Sequence, residues 1–579
     1  MNTSNFFSQP QNLFQKQYDA LRMYYFEKKS AKEIAEKFGY TYRGFTTLAY
    51  NFSKKLKEQN SDNMFFKEFK RGKKPSENTV QAKELIIKMR KKYYSVEDIK
   101  VVLDAKNMNM SSKTIYNIIS SEGFARLPRR SNSVKKQVEE IKIKPPKSEM
   151  LNFQPETFTS SSAGILSLLP DIKKYGIDSL IENSDYPKTS QIGKLNSILC
   201  FVALKALNVR RYTADNMWCM DRGSGLFAGL NVLPKAAWFT SYSHRVTRSM
   251  NINFLKSLHN NWISNGLLSD TINLDFTTIP YWGDNEHLEN NWSGKRTKAL
   301  PSMLAVLAQD SDSGIIDYGD TNVMHENESK VILEFLDFYR SGSDKGKDLK
   351  YLIFDSKFTN YENLRKLEDN NVKFITIRRK GKNITNRLNS LPEKNWKTFR
   401  IERAGNKKAT IKVFEETVFL KTYDKQIRQI NIKGHGKIKP ATIILNDFDI
   451  KAEEVVRKYA RRWIIEKEIS EQIEFFHLNN VSSSMVIKVD FDLTMSILTH
   501  NIFRLFAKDT QRYKHLSDNS IYEKFLKNSA EIKIDNEIEI KLKKKKNLPL
   551  LLEKNKKLED QKYLWLDNRK LKFRGNTYS

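Results

Sequence analysis

Cysteine and long apolar runs are scarce in this chain of 579 residues. Its two cysteines, Cys200 and Cys219, cannot build a framework of several disulfides or a structural zinc site, and the eight histidines show no metal-ligand spacing. No apolar run approaches the roughly 20 residues that cross a membrane, and the start MNTSNFFSQP lacks a secretory pattern. These absences predict an intracellular protein with no part in a membrane.

Acidic residues are the second shortage. The chain has 68 Asp and Glu against 100 Lys and Arg, a formal net charge of +32. Such a charge favours partners that carry phosphates or anionic membrane surfaces, and without a membrane segment nucleic acid is the better expectation. A lysine-rich proteome is the alternative explanation. Because 39% of the residues are hydrophobic, the chain can bury several cores, and its length predicts three or four domains.

The first 130 residues contain two similar helical units, 1–60 and 61–130. In the first unit, Ser30 and Glu33 have the spacing of a capping box, Gly39 ends the helix that follows, and another helix comes directly after it. Helix, tight glycine turn and helix at this length is the helix-turn-helix pattern.

The second unit repeats this arrangement, with Ser95 and Asp98 as its capping box. Residues 1–150 hold 31 Lys and Arg against 16 Asp and Glu, so about half of the excess charge lies in a quarter of the chain. Tandem basic units favour DNA binding, with Arg43 and Lys113 as candidate contacts. Small helical interaction modules are the alternative.

The rest of the chain divides by the spacing of its apolar residues. Helical spacing comes first, strands and helices then alternate, and hairpin-like strands precede two long helices. This pattern predicts an α/β core with mixed strand directions and a β-rich insertion, preceded by all-α units. The expected segments are a basic linker at 131–154, a helical domain at 155–268, the first part of the core at 269–394, the insertion at 395–450, the second part of the core at 451–510, and a basic, mostly polar C-terminal region at 511–579.

Two aspartates stand at the ends of strand-like runs, Asp275 in TINLDFTTI and Asp355 in YLIFDSKF. Ligands of α/β sheets bind at the carboxyl ends of strands. Taken singly, each aspartate is equally well explained as a cap for the next turn.

A third acid lies on a helix far downstream, where Tyr459, Arg462 and Glu466 share one stripe at spacings of three and four. The residues around them are apolar, so the charged groups must pair with each other or with another charge. Three carboxylates from two strands and a helix suit a phosphodiester site that holds divalent metal ions, since Mg²⁺ prefers oxygen ligands. Arg462 is expected to offset developing charge or to hold a phosphate.

The order Asp, Asp, β-rich insertion and Tyr-x-x-Arg-x-x-x-Glu resembles the DDE transposases of bacterial and archaeal insertion sequences. The subgroup is the one named for its Tyr-Arg-Glu-Lys signature. The likeness covers about residues 155–510, with the helix-turn-helix units before it, and includes Thr277 two positions after Asp275.

This resemblance implies a ribonuclease-H-like catalytic core that cuts DNA by hydrolysis and joins it by transesterification. Asp275, Asp355 and Glu466 are the implied ligands of two Mg²⁺ or Mn²⁺ ions. Tyr459 and Arg462 are expected to orient the DNA or the glutamate.

One position departs from the signature. The lysine expected seven residues after Glu466 is Ile473. In the family that lysine contacts DNA phosphate, so either Lys467 or Arg461 is expected to supply the contact, or the contact is absent.

Three other features are candidate DNA contacts, and each also has an ordinary structural explanation. Lys295 and Arg296 lie in a basic loop between two core strands, where a solvated loop is equally expected. Trp396 opens the insertion, where related transposases can use an aromatic ring to stack a flipped base, although a core tryptophan is the better expectation. The run KLKKKK at 541–546 is either a phosphate contact or a solvated stretch.

The sequence thus predicts a DNA transposase that binds the terminal inverted repeats of an insertion sequence and performs metal-dependent strand cleavage and strand transfer. Because two ends are cut together, a homodimer or higher assembly on double-stranded DNA is expected, in the nucleoid-associated cytoplasm of a prokaryote. Two alternatives stay open: a catalytically silent DNA-binding regulator derived from such an enzyme, and a ribonuclease-H-like nuclease without strand transfer.

Overall fold

The computed structural model describes the larger part of the chain. The described residues are 13–57, 77–91, 94–106, 108–122, 124, 149–209, 217–280, 288–293, 298–341, 348–379, 381–403, 407–434, 441–478, 486–510 and 513–575. The chain divides into two compact units, residues 1–81 and 82–579. Among the described residues, no helix has both the length and the apolar composition that crossing a membrane requires.

The described part of the first unit contains three helices ahead of the one that spans the unit boundary. They are α1 (Leu13–Tyr25), α2 (Ala31–Phe38) and α3 (Tyr42–Lys57). Their shared core is small and consists of Ala20, Ile34, Ala35 and Phe45. A core of this size leaves most of the surface of α3 in solvent.

The start and end of α2 are those that the sequence predicts. The Ser30 hydroxyl accepts a hydrogen bond from the Glu33 amide, and the Glu33 carboxylate accepts one from the Ser30 amide. Gly39 ends the helix with a φ of 64°, which glycine adopts without strain. The predicted capping box and glycine end are therefore confirmed.

Replacing Ser30 by alanine is expected to weaken α2 by about 1 kcal/mol, because the Glu33 amide loses its acceptor. In hydrogen–deuterium exchange of the whole protein, the amides of α2 should exchange about fivefold faster. Glu36→Gln changes an exposed side chain of α2 outside the box and serves as the control. Equal protection in Ser30→Ala and wild type would contradict the role of the box.

The second unit begins within α4 (Glu77–Lys91) and continues with α5 (Val96–Ala105) and α6 (Ser112–Ser121). The predicted capping box of Ser95 and Asp98 is present, and Ser111 caps α6. The residue that ends α6 is Glu122; Gly123, which the sequence favours there, lies outside the described residues.

Short helices and one strand form the next part of the chain. They are β1 (Glu156–Ser160), a 3-10 helix (Ala163–Leu168), α7 (Leu169–Lys174), α8 (Ile177–Glu182), α9 (Lys194–Ala206), a 3-10 helix (Met217–Met220), α10 (Arg222–Phe227), α11 (Ala236–Ser243) and α12 (Arg248–Ser264). The helices agree with the predicted helical character of this region, whereas β1 was not predicted. α9 is apolar on all sides and almost wholly buried, as expected of a helix inside a large core.

Strands and helices then alternate as predicted. They are β2 (Thr271–Pro280), β3 (Asn290–Ser293), β4 (Lys298–Asp310), β5 (Ile316–Val323), a 3-10 helix (His325–Asn327), α13 (Val331–Ser341), β6 (Tyr351–Phe354), a 3-10 helix (Ser356–Phe358), α14 (Tyr361–Asp369) and β7 (Lys373–Ile377). β4 pairs antiparallel with both β2 and β5, whereas β6 lies parallel between β2 and β7. The sheet therefore has the mixed strand directions that the sequence predicts.

The predicted β-rich insertion extends this same sheet. Before its predicted start at residue 395 lie α15 (Lys382–Ser390) and most of a 3-10 helix (Glu393–Asn395). The insertion itself contains β8 (Lys397–Arg403), β9 (Lys407–Leu420), β10 (Lys425–Lys433) and β11 (Ala441–Leu445). β11 pairs antiparallel with β7, so the strand order is β3-β4-β2-β6-β7-β11-β10-β9-β8 with β5 beside β4.

Two long helices, α16 (Ala452–Phe475) and α17 (Val486–Lys508), return to this sheet. α16 packs on β2, β6 and β7, and α17 packs on β5. A side chain at Gly319 of β5 would come within 2.4 Å of the Ile497 side chain. A larger residue at this position would therefore require the Ile497 side chain to move.

The C-terminal region is more ordered than its polar composition suggests. Its elements are α18 (Asp518–Ile521), a π-helical turn (Tyr522–Leu526), β12 (Ala530–Ile534), β13 (Ile538–Leu542), α19 (Leu548–Lys556), β14 (Lys562–Tyr563), a 3-10 helix (Leu564–Leu566) and β15 (Arg569–Gly575). They form a second sheet of order β1-β12-β13-β15-β14. A buried ion pair of Lys554 with Asp171 ties α19 to α7. The first two residues of the KLKKKK run belong to β13 and so to this sheet.

Candidate active site

Asp275 and Asp355 occupy equivalent positions on two paired strands. In the parallel pairing of β2 with β6, Leu274 is opposite Phe354, and each aspartate is the next residue. β6 ends at Phe354, whereas β2 continues to Pro280. Because neighbouring strands lie about 4.8 Å apart, this register brings the two carboxylates together at the carboxyl end of β6.

The turn after β6 holds Asp355 at the start of a 3-10 helix without using its side chain as a cap. Phe358 at the end of this turn is buried, and its ring stacks on Phe276 of β2 with 3.8 Å between centroids. The Thr359 hydroxyl lies 2.9 Å from that of Thr376 in β7. Contacts with both neighbouring strands therefore fix the backbone beside Asp355 and leave its half-exposed carboxylate available.

α16 brings a buried guanidinium to Asp275. Arg462 and Asp275 are 3% and 6% exposed, and the Nη1 of Arg462 lies 3.4 Å from Oδ1 of Asp275. The Arg462 guanidinium also lies 5.2 Å from the ring centroid of Tyr459, which is 2% exposed. The structure therefore brings together three of the predicted residues, Asp275, Arg462 and Tyr459. Asp275 is therefore one of the charged partners that the sequence analysis expects for Arg462.

Glu466 lies one helical turn beyond Arg462 on α16. Its side chain and those of Lys467 and Ile473 are outside the described residues. Among the described residues, no group of three His, Cys, Asp or Glu side chains is placed to hold a metal ion. The third ligand of the predicted site thus stays a prediction.

The remaining predicted contacts lie in different settings. Arg43 on α3 and Lys113 on α6 are exposed, and Lys295 and Arg296 lie outside the described residues. Trp396 is only 7% exposed, packed against Phe414 and beneath the Lys433 ammonium, which lies 4.2 Å from its ring centroid. This is the setting of the core tryptophan that the sequence favours, and in this conformation the ring is covered.

Two basic residues beside the aspartates were not singled out from the sequence. Lys357 lies in the turn after β6, and Arg379 follows β7. Their signal in the sequence is a basic residue two or three positions after the end of an apolar strand. This signal is too common to be used without knowing which strands are neighbours.

Comparisons with known proteins bear on the central part of the chain. A search of the curated proteins gives no match. Among solved structures, a cryo-EM structure of the piggyBac transposase synaptic complex with hairpin DNA matches 64% of this chain and 82% of that chain, with 12% sequence identity and a TM-score of 0.34. Residues 268–502 match the family model described as "Transposase DDE domain". The matched segment contains Asp275, Asp355 and all of α16, so the part of the chain that builds the candidate site is similar to a transposase DDE domain.

Proposed function

We propose that this protein is a DDE transposase that binds the terminal inverted repeats of an insertion sequence, cleaves its ends and transfers them to target DNA. The observation that carries the proposal is the register of β2 and β6, which sets Asp275 beside Asp355 within the segment similar to a transposase DDE domain. The meander of β2, β4 and β5 followed by parallel β6 and β7 supports a ribonuclease-H-like core.

The donor set fits divalent metal ions. Two carboxylates at adjacent strand positions offer hard oxygen ligands, and the α16 position of Glu466, one turn beyond Arg462, offers a third from the facing element. Asp275, Asp355 and Glu466 are the proposed ligands of two Mg²⁺ or Mn²⁺ ions. When bound, such ions activate the attacking oxygen and stabilise the leaving oxygen of an in-line displacement.

The residues of α16 have a positioning role in this proposal. Arg462 keeps the buried Asp275 paired with a positive charge, so its carboxylate can stay ionised in an apolar environment. Tyr459 packs against the guanidinium and limits its movement. Together with Ile473 in place of the lysine, these residues support our proposal that the chain is a variant of the Tyr-Arg-Glu-Lys subgroup.

The N-terminal helices are the proposed readers of the inverted repeats. Along α3, Arg43, Thr47, Tyr50, Asn51 and Lys54 recur at helical spacing and are all exposed. Guanidinium, hydroxyl, amide and ammonium groups on one face are the groups that contact bases and phosphates in the major groove. α3 is therefore the proposed recognition helix of the first helix-turn-helix unit. Lys113 has the equivalent role in the second unit.

Strand cleavage of a labelled duplex that carries the element's end tests this function. With Mg²⁺ the protein should nick the end and join the freed 3′-hydroxyl to a second duplex. The proposed active form is a dimer or larger assembly on DNA, and its proposed location is the prokaryotic cytoplasm. Binding without cleavage would instead support a silent regulator. Cleavage without joining, independent of the end sequence, would support a simple nuclease.

A further inference from the structure

The geometry points to a binding site for DNA backbone phosphates formed by Lys357 and Arg379, which flank Asp355 on its two sides. The inference rests on the proposed function, because the bound phosphates would be neighbours of the phosphodiester that is cleaved at Asp275 and Asp355. The ligand class is the phosphodiester backbone of a DNA strand.

Arg379 is fixed beside Asp355 by its backbone contact. It follows the carboxyl end of β7, which is the parallel neighbour of β6. Its Nε donates a hydrogen bond to the carbonyl oxygen of Ser356, the residue after Asp355, at 3.2 Å. Among the described residues this is its one polar contact, so both Nη groups are available to a ligand. A guanidinium fixed through Nε and open at Nη can grip a phosphate with two donors.

Lys357 lies on the opposite side of Asp355. Its ammonium is 6.0 Å from the ring centroid of Phe276, the residue after Asp275 on β2. That ring is itself stacked on Phe358, so the lysine rests on a fixed apolar surface. No acidic group pairs with Lys357 within the part of the chain that the structure describes.

Arg378, the residue before Arg379, has a different role, so only Arg379 of this pair is assigned to the phosphate site. Arg378 Nη1 donates to Gln429 Oε1 at 2.7 Å, and its amide donates to the carbonyl of Thr442. This side chain is directed to the β-rich insertion and holds β10 and β11 to the end of β7. Of the two consecutive arginines, Arg379 is the one open to a phosphate.

The charges also suit a phosphate on each side of the acids. A DNA strand that enters a site of carboxylates is repelled by them until metal ions bind, and cations beside the acids offset this repulsion. Lys357 and Arg379 supply positive charge without forming the internal ion pairs that would neutralise it. They therefore should contribute to binding of the strand even in the absence of metal.

The test is DNA binding by the full-length protein in EDTA, measured by fluorescence anisotropy with a labelled duplex at several salt concentrations. Arg379→Gln and Lys357→Gln should each lower the affinity about three- to tenfold near 0.1 M salt and reduce the slope of log K against log salt by about 1. Arg379→Lys should restore most of the slope, because it keeps the charge. Arg365→Gln is the matched control: Arg365 is a half-buried arginine of α14 that pairs with Asp369 in the same β-α-β unit.

The alternative is that Arg379 only holds the turn after Asp355. In that case Arg379→Gln lowers the thermal stability and leaves the salt slope unchanged, which would overturn the proposal, as would an unchanged slope in Lys357→Gln. Failure of the proposed function is seen separately. If the wild type cleaves no duplex but both glutamine variants reduce the salt slope, the phosphate site stands and the transposase assignment fails. If the wild type cleaves the duplex but the variants leave the salt slope unchanged, the transposase assignment stands and the phosphate site fails.

Discussion

Replacing Asp355 by asparagine is expected to lower strand cleavage by at least about a thousandfold, equivalent to about 4 kcal/mol of transition-state stabilisation. The change removes one of two adjacent negative charges that would hold a metal ion and leaves the shape of the side chain almost unchanged. The side chain of Asp355 does not cap the 3-10 helix that follows it. The fold should therefore survive, with thermal stability close to that of the wild type, and DNA binding in EDTA should be at least as tight because one repelling charge is removed.

Asp369→Asn is the control for this experiment. Asp369 lies at the end of α14, exposed and paired only on the surface with Arg365, so its replacement should leave cleavage unchanged. If Asp355→Asn cleaves as fast as this control, the assignment of Asp355 to the site is wrong. Asp275→Asn is a less direct test, because it also removes the charge that pairs with the buried Arg462; loss of cleavage there would combine two effects.

The sequence predicted the elements of the core well because each carried a local signal. Apolar runs and alternation marked β2, β4, β6 and β7, and helical spacing marked α13, α14 and α16. No local signal of this kind predicted that Asp275 and Asp355 are neighbours in space. They are far apart in the chain, and only the pairing of β2 with β6 sets them side by side. For the same reason Lys357 and Arg379 were overlooked, since neither is distinctive until the neighbouring strands are known.

The C-terminal sheet shows a different reason for a missed prediction. Residues 530–542, AEIKIDNEIEIKL, alternate apolar and charged residues around Asp-Asn and form the antiparallel pair β12 and β13. The signal of a hairpin was present, but the charges dominated the interpretation. The partner of this hairpin, β1, comes from residues 156–160 and carries too few apolar side chains to be found from its own sequence.

Replacing Arg248 by methionine is expected to lower the stability of the second unit by about 3–5 kcal/mol near neutral pH. Arg248 begins α12, forms a two-pronged ion pair with Asp320 of β5, and lies 3.9 Å from Asp490 of α17. Asp490 is buried and accepts hydrogen bonds from Asn251 and Thr321. Methionine fills a similar volume but leaves two buried carboxylates without their cation. The midpoint of urea unfolding, followed by tryptophan fluorescence, measures the loss.

The loss of stability in Arg248→Met should change with pH, whereas a packing defect alone would cause the same loss at every pH. Burial raises the pKa of Asp490 to about 6, although the charge of Arg248 opposes the shift. An acid whose pKa is higher in the folded than in the unfolded protein binds its proton more tightly when folded, so its contribution to stability falls as the pH rises from about 4 to about 6. Without Arg248 this pKa rises further, and the loss of stability should therefore be larger at pH 8 than at pH 5. Asp490→Asn keeps the shape and the Arg248–Asp320 pair, and should flatten the dependence between pH 4 and 6. An Arg248→Met variant that loses equal stability at pH 5 and pH 8 would show that the guanidinium acts by packing alone.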